Sequence, residues 1–419
     1  MQTSFTDAQL AKPGMRENEK TLRTCVHCGL CSATCPTYVL LGDELDSPRG
    51  RIYLIKNMLE TGRPATARDA LHIDRCLSCL SCVTTCPSGV DYMHLVDHAR
   101  QWIEETYTRP WHERLLRRLL SFVLPHSARF RAALAAGRLA KPAARFLPAR
   151  LRAMLELVPP SIPRPESPAT KATGQRRMRV AMLGGCVQPV LAPQVDAATI
   201  RILARHGCEV VTGGGCCGAL THHLGKDAKD FARANIDLWT REIETAGLDA
   251  IVVNVSGCGV LVKDYGHLLR DDPAYAQKAA RVAALAKDPC EILEFLGLVP
   301  APLSQSLKVA YHSACSLQHG QRIVETPKEL LRKVGFKVVD VPQGHLCCGS
   351  AGTYNILQPA ISAQLRDAKV MNIRNVAPDV VAAGNIGCLV QIASGAPGVP
   401  VVHTIELLDW ATGGPAPAL

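Results

Sequence analysis

The sequence predicts a helical, cysteine-bearing N-terminal domain followed by two α/β units built on one plan. Three observations carry this. Sixteen of the 18 cysteines fall into four groups of four. The last two groups repeat at offsets of 129 to 131 residues, each with Cys-Cys-Gly at its middle, which marks one unit used twice. From Arg179 onward, short apolar runs alternate with longer helical ones, the texture of buried parallel strands joined by crossover helices.

At 419 residues the chain has room for about three domains. Its 47% hydrophobic and 20% charged residues exclude disorder, and 32 Gly and 28 Pro without a G-X-Y period exclude collagen. Cysteine is too sparse for a small disulfide scaffold, and MQTSFTDAQLAK lacks the apolar centre of a secretory signal. The expectation is reduced thiols in the cytoplasm. No bilayer span is expected, because the most apolar stretch, Val380 to Gly395, is broken by Gly384, Asn385, Gly387 and Gln391. The net charge of +10 is concentrated: Arg109 to Arg179 holds 16 Lys and Arg against 3 Glu. A basic charge confined to one segment, without aromatic interleaving, points to a local anionic surface and away from nucleic acid.

Residues 1–100 alternate ligand loops with helices. Ser47 and Pro48 supply an N-cap and a first-turn proline for a helix to about Leu59, which would bridge the first two cysteine groups. Residues 101–178 form a basic segment, amphipathic and helical from Trp102 to Val158, then a proline-rich linker over 159–178. In the first Cys-Cys-Gly unit, 179–300, strands are expected at Val180–Leu183, Glu209–Thr212 and Ile251–Asn254, with helices at Val195–Arg205 and Asp227–Ala246. In the second, 301–419, strands are expected at Val309–His312, Lys337–Val341, Val380–Ala383 and Val401–His403, with helices at Glu325–Lys333 and Pro359–Asn375. The clustered cysteines fall just past the strand ends, where open parallel sheets bind ligands.

The first group is Cys25, Cys28, Cys31 and Cys35, the second Cys76, Cys79, Cys82 and Cys86, and both read C-x2-C-x2-C-x3-C-P. Three cysteines at i, i+3 and i+6 can hold three corners of a cubane, while the fourth, before proline, points away. This is the bacterial two-cluster ferredoxin run. It assigns Cys25, Cys28, Cys31 and Cys86 to one [4Fe–4S] cluster, and Cys76, Cys79, Cys82 and Cys35 to the other. Zinc is the alternative, but it has no need of a third cysteine at the next x2 step.

The third group is Cys186, Cys216, Cys217 and Cys258, and the fourth Cys315, Cys347, Cys348 and Cys388. Adjacent thiols need a sharp turn, which Gly218 and Gly349 permit. Each set can hold a further iron–sulfur or metal centre, with His222, His312 or His345 as candidate nitrogen ligands; reduced structural thiols are the alternative. Gly213 to Gly218 satisfies G-x-G-x-x-G by coincidence, since no acidic residue ends a following strand. Cys208 and Cys290 read as core residues, and no residue presents itself as a catalytic nucleophile.

In Thr24-Cys25-Val26-His27-Cys28-Gly29-Leu30-Cys31, Ser47-Pro48-Arg49-Gly50-Arg51-Ile52, Gly215-Cys216-Cys217-Gly218-Ala219 and His345-Leu346-Cys347-Cys348-Gly349-Ser350-Ala351-Gly352, the chain resembles the glycolate oxidase iron–sulfur subunits. These have an α-helical two-cluster ferredoxin domain followed by two α/β Cys-Cys-Gly domains. Similar layouts occur in the anaerobic glycerol-3-phosphate dehydrogenase third subunit, lactate-utilisation proteins and heterodisulfide reductase. The resemblance implies an electron-transfer subunit that is not catalytic alone. Separate FAD-containing subunits would oxidise glycolate to glyoxylate, and this chain would relay electrons to a quinone or other membrane acceptor, peripherally at the cytoplasmic face of the inner membrane. A flavin is required because iron–sulfur clusters carry single electrons and cannot accept a hydride. The glycerol-3-phosphate and lactate systems are the alternative. Disulfide reduction is third, because Val255 and Asn385 stand where heterodisulfide reductases carry a fifth cysteine.

Overall fold

The computed structural model describes residues 1–303, 305–395 and 398–419. The N-terminal part is helical: Met15–Thr24, Pro36–Leu41, Pro48–Thr61, Ala67–Asp74, Ser81–Thr85 and Tyr92–Thr106. Apart from Pro36–Leu41, whose Leu40 packs in a separate cluster, they meet in one core containing Leu22, Ile55, Met58, Leu59, Ile73, Leu95 and Ile103. The helix from Pro48 starts as its sequence dictates. Ser47 Oγ accepts from Gly50 N at 2.9 Å, Pro48 occupies the first turn, and Gly62 ends the helix in the left-handed region. Gly50 is there for space: a Cβ on it would lie 2.0 Å from the Glu44 carbonyl oxygen.

The basic segment is helical over Trp111–Val123, Ser127–Ala140 and Ala149–Glu156. It is anchored through one carboxylate, since Arg109 and the inward-facing Arg117 both pair with the largely buried Asp74, at 2.5 and 2.8 Å. The outward face of the first of these helices carries Trp111, Leu115, Leu119 and Phe122, all exposed, beside exposed Arg114 and Arg118. The linker is pinned to the first unit, with Thr173 N donating to Ala204 O and Val210 N to Thr170 O, each at 2.8 Å.

Each Cys-Cys-Gly unit is a four-stranded parallel sheet. The first consists of β1 (Met178–Leu183), β2 (Cys208–Gly213), β3 (Ala250–Val252) and β4 (Ala286–Lys287), in the order β2-β1-β3-β4. The second consists of β5 (Lys308–His312), β6 (Lys337–Asp340), β7 (Val380–Ala383) and β8 (Val401–His403), in the order β6-β5-β7-β8. Seven strands lie where the sequence places them. The eighth, β4, has two residues and carries too little periodicity to be read. The two sheets share one continuous core. They are latched by Arg201 and Arg205, which reach the buried Asp409 at 2.8 and 3.0 Å, and by the Ser256–Ser316 hydroxyl pair at 2.7 Å.

Side chains from the N-terminal part bond to both units. His94 Nε2 meets Asp264 at 3.0 Å and His222 Nε2 meets Asp97 at 3.1 Å in the first unit. In the second, Tyr354 donates to the Arg75 carbonyl at 3.1 Å, and Thr84 Oγ1 lies 2.7 Å from His319 Nδ1.

Candidate metal centres

The two C-x2-C-x2-C loops are wound alike. The second and fourth residues after the first cysteine are left-handed in both: His27 (φ 57°) and Gly29 (φ 81°), then Ser78 (φ 49°) and Leu80 (φ 61°). Glycine takes this conformation freely, whereas Leu80 holds it at a cost of about 1 kcal/mol or more. Arg49 packs over Gly29, where a Cβ would meet its guanidinium at 2.6 Å.

The winding gathers thiols into two hollows. A solvent-open hollow of about 450 Å³ is lined by Cys25, Cys28, Cys31 and Cys86, with His27, Ile52 and Val90 in its walls. A second, of about 320 Å³, is lined by Cys35, Cys76, Cys79 and Cys82, with Thr37, Leu77 and Leu80. Pro48, Cys82 and Tyr92 line both and form the partition between them. The donors suit a soft metal and not a hard one: among the described residues no carboxylate lines either hollow. His27 Nε2, in the wall of the first, is buried without a partner. Burial and the neighbouring Cys25 push the Cys31 thiol up to about 11, and burial raises Cys79 and Cys82 further, so these sulfurs stay protonated until a cation replaces the protons.

Behind the second hollow lies a buried charge network that sequence reasoning missed. Arg51, 1% exposed, donates through Nε to the His72 carbonyl at 2.7 Å, through Nη2 to Thr37 Oγ1 at 3.0 Å, and through Nη1 to Cys35 Sγ at 3.7 Å. Its counter-charge is Asp46, fully buried, which also pairs with Arg75 at 2.7 Å and with His72 at 3.0 Å. Tyr92 donates to Cys76 Sγ at 3.7 Å. The signal for Arg51 was the Ser47 to Ile52 motif itself, whose second arginine faces inward.

In the first Cys-Cys-Gly unit, Cys186, Cys216, Cys217 and Cys258 form an unbroken chain of thiol contacts. Gly218 N donates to Cys216 Sγ at 3.3 Å, and Gly218 is left-handed (φ 93°), as is Gly349 (φ 88°). Hydrogen bonds from Cys186, Cys217 and that N–H hold Cys216 below the ordinary thiol range. In the second unit, Cys315 and Cys347 sulfurs lie 3.8 Å apart, and the contacts continue through Cys348 to Cys388. Cys79 and Cys347 share an apolar cluster with Leu77 and Tyr354, so the second hollow backs onto this group.

Of the three candidate histidines, His222 is committed to Asp97 and His345 is exposed, while His312 is buried among the thiols of the second unit. Asn385 is a structural residue, bonding Ser256 Oγ at 3.0 Å and accepting from Gly387 N at 2.8 Å. Val255 packs against the shared core, and Cys208 and Cys290 are buried within it.

Residues 24–90 match the family described as 4Fe-4S dicluster domain, and residues 180–263 and 309–393 match the one described as Cysteine-rich domain. The glycolate oxidase iron-sulfur subunit of Escherichia coli K12 is 45% identical to this chain over 98% of its length and 99% of the relative's. The probable glycolate oxidase iron-sulfur subunit of Bacillus subtilis 168 is 31% identical over 95% and 96%. Lactate utilization protein A of Bacillus licheniformis is 33% identical over 55% of this chain and 99% of its own. A crystal structure of a hypothetical protein from Helicobacter pylori shares the fold at a TM-score of 0.54 and 11% identity, covering 98% of this chain and 74% of that one. Dicluster loops, paired cysteine-rich units and end-to-end likeness converge: this chain belongs to the glycolate oxidase iron–sulfur subunit family.

Proposed function

We propose that this chain carries electrons within a glycolate-oxidising complex through two [4Fe–4S] clusters with crossed ligands. Cys25, Cys28, Cys31 and Cys86 would hold one, and Cys76, Cys79, Cys82 and Cys35 the other. The observation that carries this reading is the pair of hollows that share the Pro48, Cys82 and Tyr92 partition: Cys25, Cys28 and Cys31 meet Cys86 in one, and Cys76, Cys79 and Cys82 meet Cys35 in the other. Clusters of this kind supply one-electron transfer at potentials set by hydrogen bonds to sulfur, charge and burial. The chain's own residues set these terms: Arg51 and Tyr92 donate to ligand sulfurs, and Leu77, Leu80 and Ile52 exclude water.

The hydride of glycolate would pass to FAD on partner subunits, and single electrons would pass from there through this chain to a quinone-class acceptor. Full-length likeness favours glycolate over lactate, since the lactate-utilisation relatives align with only 55% of this chain. The outward stripe of Trp111, Leu115, Leu119 and Phe122, beside Arg114 and Arg118, supports peripheral attachment to anionic lipid, with the apolar face in the headgroup boundary. No helix among the described residues is long and apolar enough to cross a membrane.

The test is co-purification of the native complex with glycolate-dependent dye reduction, with and without this chain, alongside EPR of the reduced protein. Two interacting cubane signals and loss of dye reduction without the chain are expected. Full turnover with an iron-free chain would sink the reading.

A further inference from the structure

The two Cys-Cys-Gly groups differ at one position that the sequence repeat hides. β1 pairs with β3 through Val180 and Ala250, and β5 pairs with β7 through Val309 and Val380. Three residues further along these strands stand Leu183 in the first unit and His312 in the second. His312 is 1% exposed, and its Nδ1 has no hydrogen-bond partner. The ligand atoms of His312, Cys348 and Cys388 lie within 4.8 Å of one another, all three side chains buried. Cys347 adjoins them through its thiol contact with Cys348.

A second difference is electrostatic. The helix Pro359–Asn375 places Lys369, 2% exposed, within electrostatic reach of all four thiols of its unit, its Nζ held by the Gln343 carbonyl at 2.8 Å. The helix behind the first group offers neutral Asn235 instead, bonded to the Cys216 carbonyl at 3.0 Å and to Gly215 N at 2.9 Å. Three thiolates, one imidazole and a divalent ion sum to a single negative charge, which Lys369 would balance.

We infer that the second unit alone is a mixed thiolate–imidazole site for one zinc ion, held by His312, Cys348 and Cys388 with Cys347 as the fourth ligand. A tetrahedral zinc site with sulfur and nitrogen donors has ligand atoms this close together, and in a closed four-ligand site the ion is structural, not redox-active. Its place in the fold gives it a use. Cys347 packs with Cys79 and Leu77, so an ion fixing the Cys347-Cys348 turn would brace the back of the loop that carries three thiols of the second hollow. This inference stands apart from the cubane assignment, which uses none of these four residues.

The test is zinc and iron content of the anaerobically purified full chain, with X-ray absorption at the zinc edge, where iron does not interfere. Expected is about one zinc per chain with a sulfur shell and one nitrogen. His312→Ala and Cys388→Ser should each lower zinc at least tenfold with iron content unchanged, and His312→Cys should restore zinc with an all-sulfur shell. A folded chain with full iron and no zinc, zinc retained in His312→Ala, or an all-sulfur shell in the wild type would each overturn it. Should His312→Ala fail to fold, His312→Cys decides alone, since an unchanged sulfur-to-nitrogen ratio there refutes the ligand.

Discussion

The Arg51 guanidinium donates to the Cys35 sulfur at 3.7 Å while holding Asp46 at 3.4 Å, with both side chains sealed from water. A cation fixed beside one proposed ligand sulfur, and bonded to none of the first hollow's thiols, makes the two sites electrostatically unequal. Replacing Arg51 with Gln removes that charge and strands Asp46 beside a weakened network. A cost of about 3–5 kcal/mol in stability is expected, as for any buried pair broken from one side. The midpoint potential of the cluster on the Cys35 side should fall, because a missing positive charge disfavours the reduced form, while the other stays put. An EPR-monitored redox titration checks both halves.

Crossed ligation makes an asymmetric prediction. Cys86→Ser should empty the hollow formed by Cys25, Cys28 and Cys31, although Cys86 belongs to the other sequence run, and Cys35→Ser should empty the one formed by Cys76, Cys79 and Cys82. Each variant should keep about half the iron. EPR would distinguish the surviving cluster, and the same surviving signal in both variants would contradict the crossing.

Gly50→Ala should unfold the N-terminal part, because its Cβ would sit 2.0 Å from the Glu44 carbonyl oxygen, against backbone that has no rotamer to yield. A loss of about 2–3 kcal/mol is expected, seen as a lower denaturant midpoint and poor iron incorporation. Gly42→Ala, at an open left-handed position with nothing within 4 Å, should cost less.

The seam between the N-terminal part and the first unit is pH-sensitive at both ends. Burial lowers the affinity of His94 for its proton, but the bonds to Asp264 and Asp91 outweigh that and push it up to about 10. Its contribution is therefore complete below its unfolded value near 6.5 and lost as pH rises toward 10. Burial acts to raise Asp97, but His222 and Arg100 outweigh it and hold it well below the usual carboxylate range. Its contribution is present above about pH 4 and lost on acidification. Thermal melts should show a plateau between these limits, and His94→Gln should flatten the alkaline arm alone.

Outward side chains can be tested on lipid. Replacing Leu115, Leu119 and Phe122 with Ser should abolish sedimentation with anionic vesicles while leaving iron content unchanged, since none of the three is buried. Binding by the unaltered chain should weaken with salt through Arg114 and Arg118. Equal pelleting by the variant would refute the lipid-facing assignment.

Much of this was legible beforehand because ligand spacing and strand texture are local. The Pro359–Asn375 helix begins and ends where its sequence says, and the clustered cysteines of the two units all follow strands, with Cys258 and Cys388 in the helices Ser256–Lys263 and Ile386–Gly395. What stayed hidden were relationships between distant segments. Nothing near Asp46 announces that Arg51, His72 and Arg75 converge on it. Leu80 gives no hint of its left-handed backbone, since leucine has no preference for it. The likeness of the two C-terminal units also masked the exchange of Leu183 for His312, because a repeat draws attention to what it preserves.

The shared partition carries a consequence for biogenesis. Because every cube would draw a corner from the opposite loop, neither can be completed on a nascent chain until the second loop has left the ribosome: Cys82 closes one set of ligands, and Cys86 the other, some sixty residues after Cys25. Both sites should then become fillable within four residues of one another, late in synthesis of the N-terminal part.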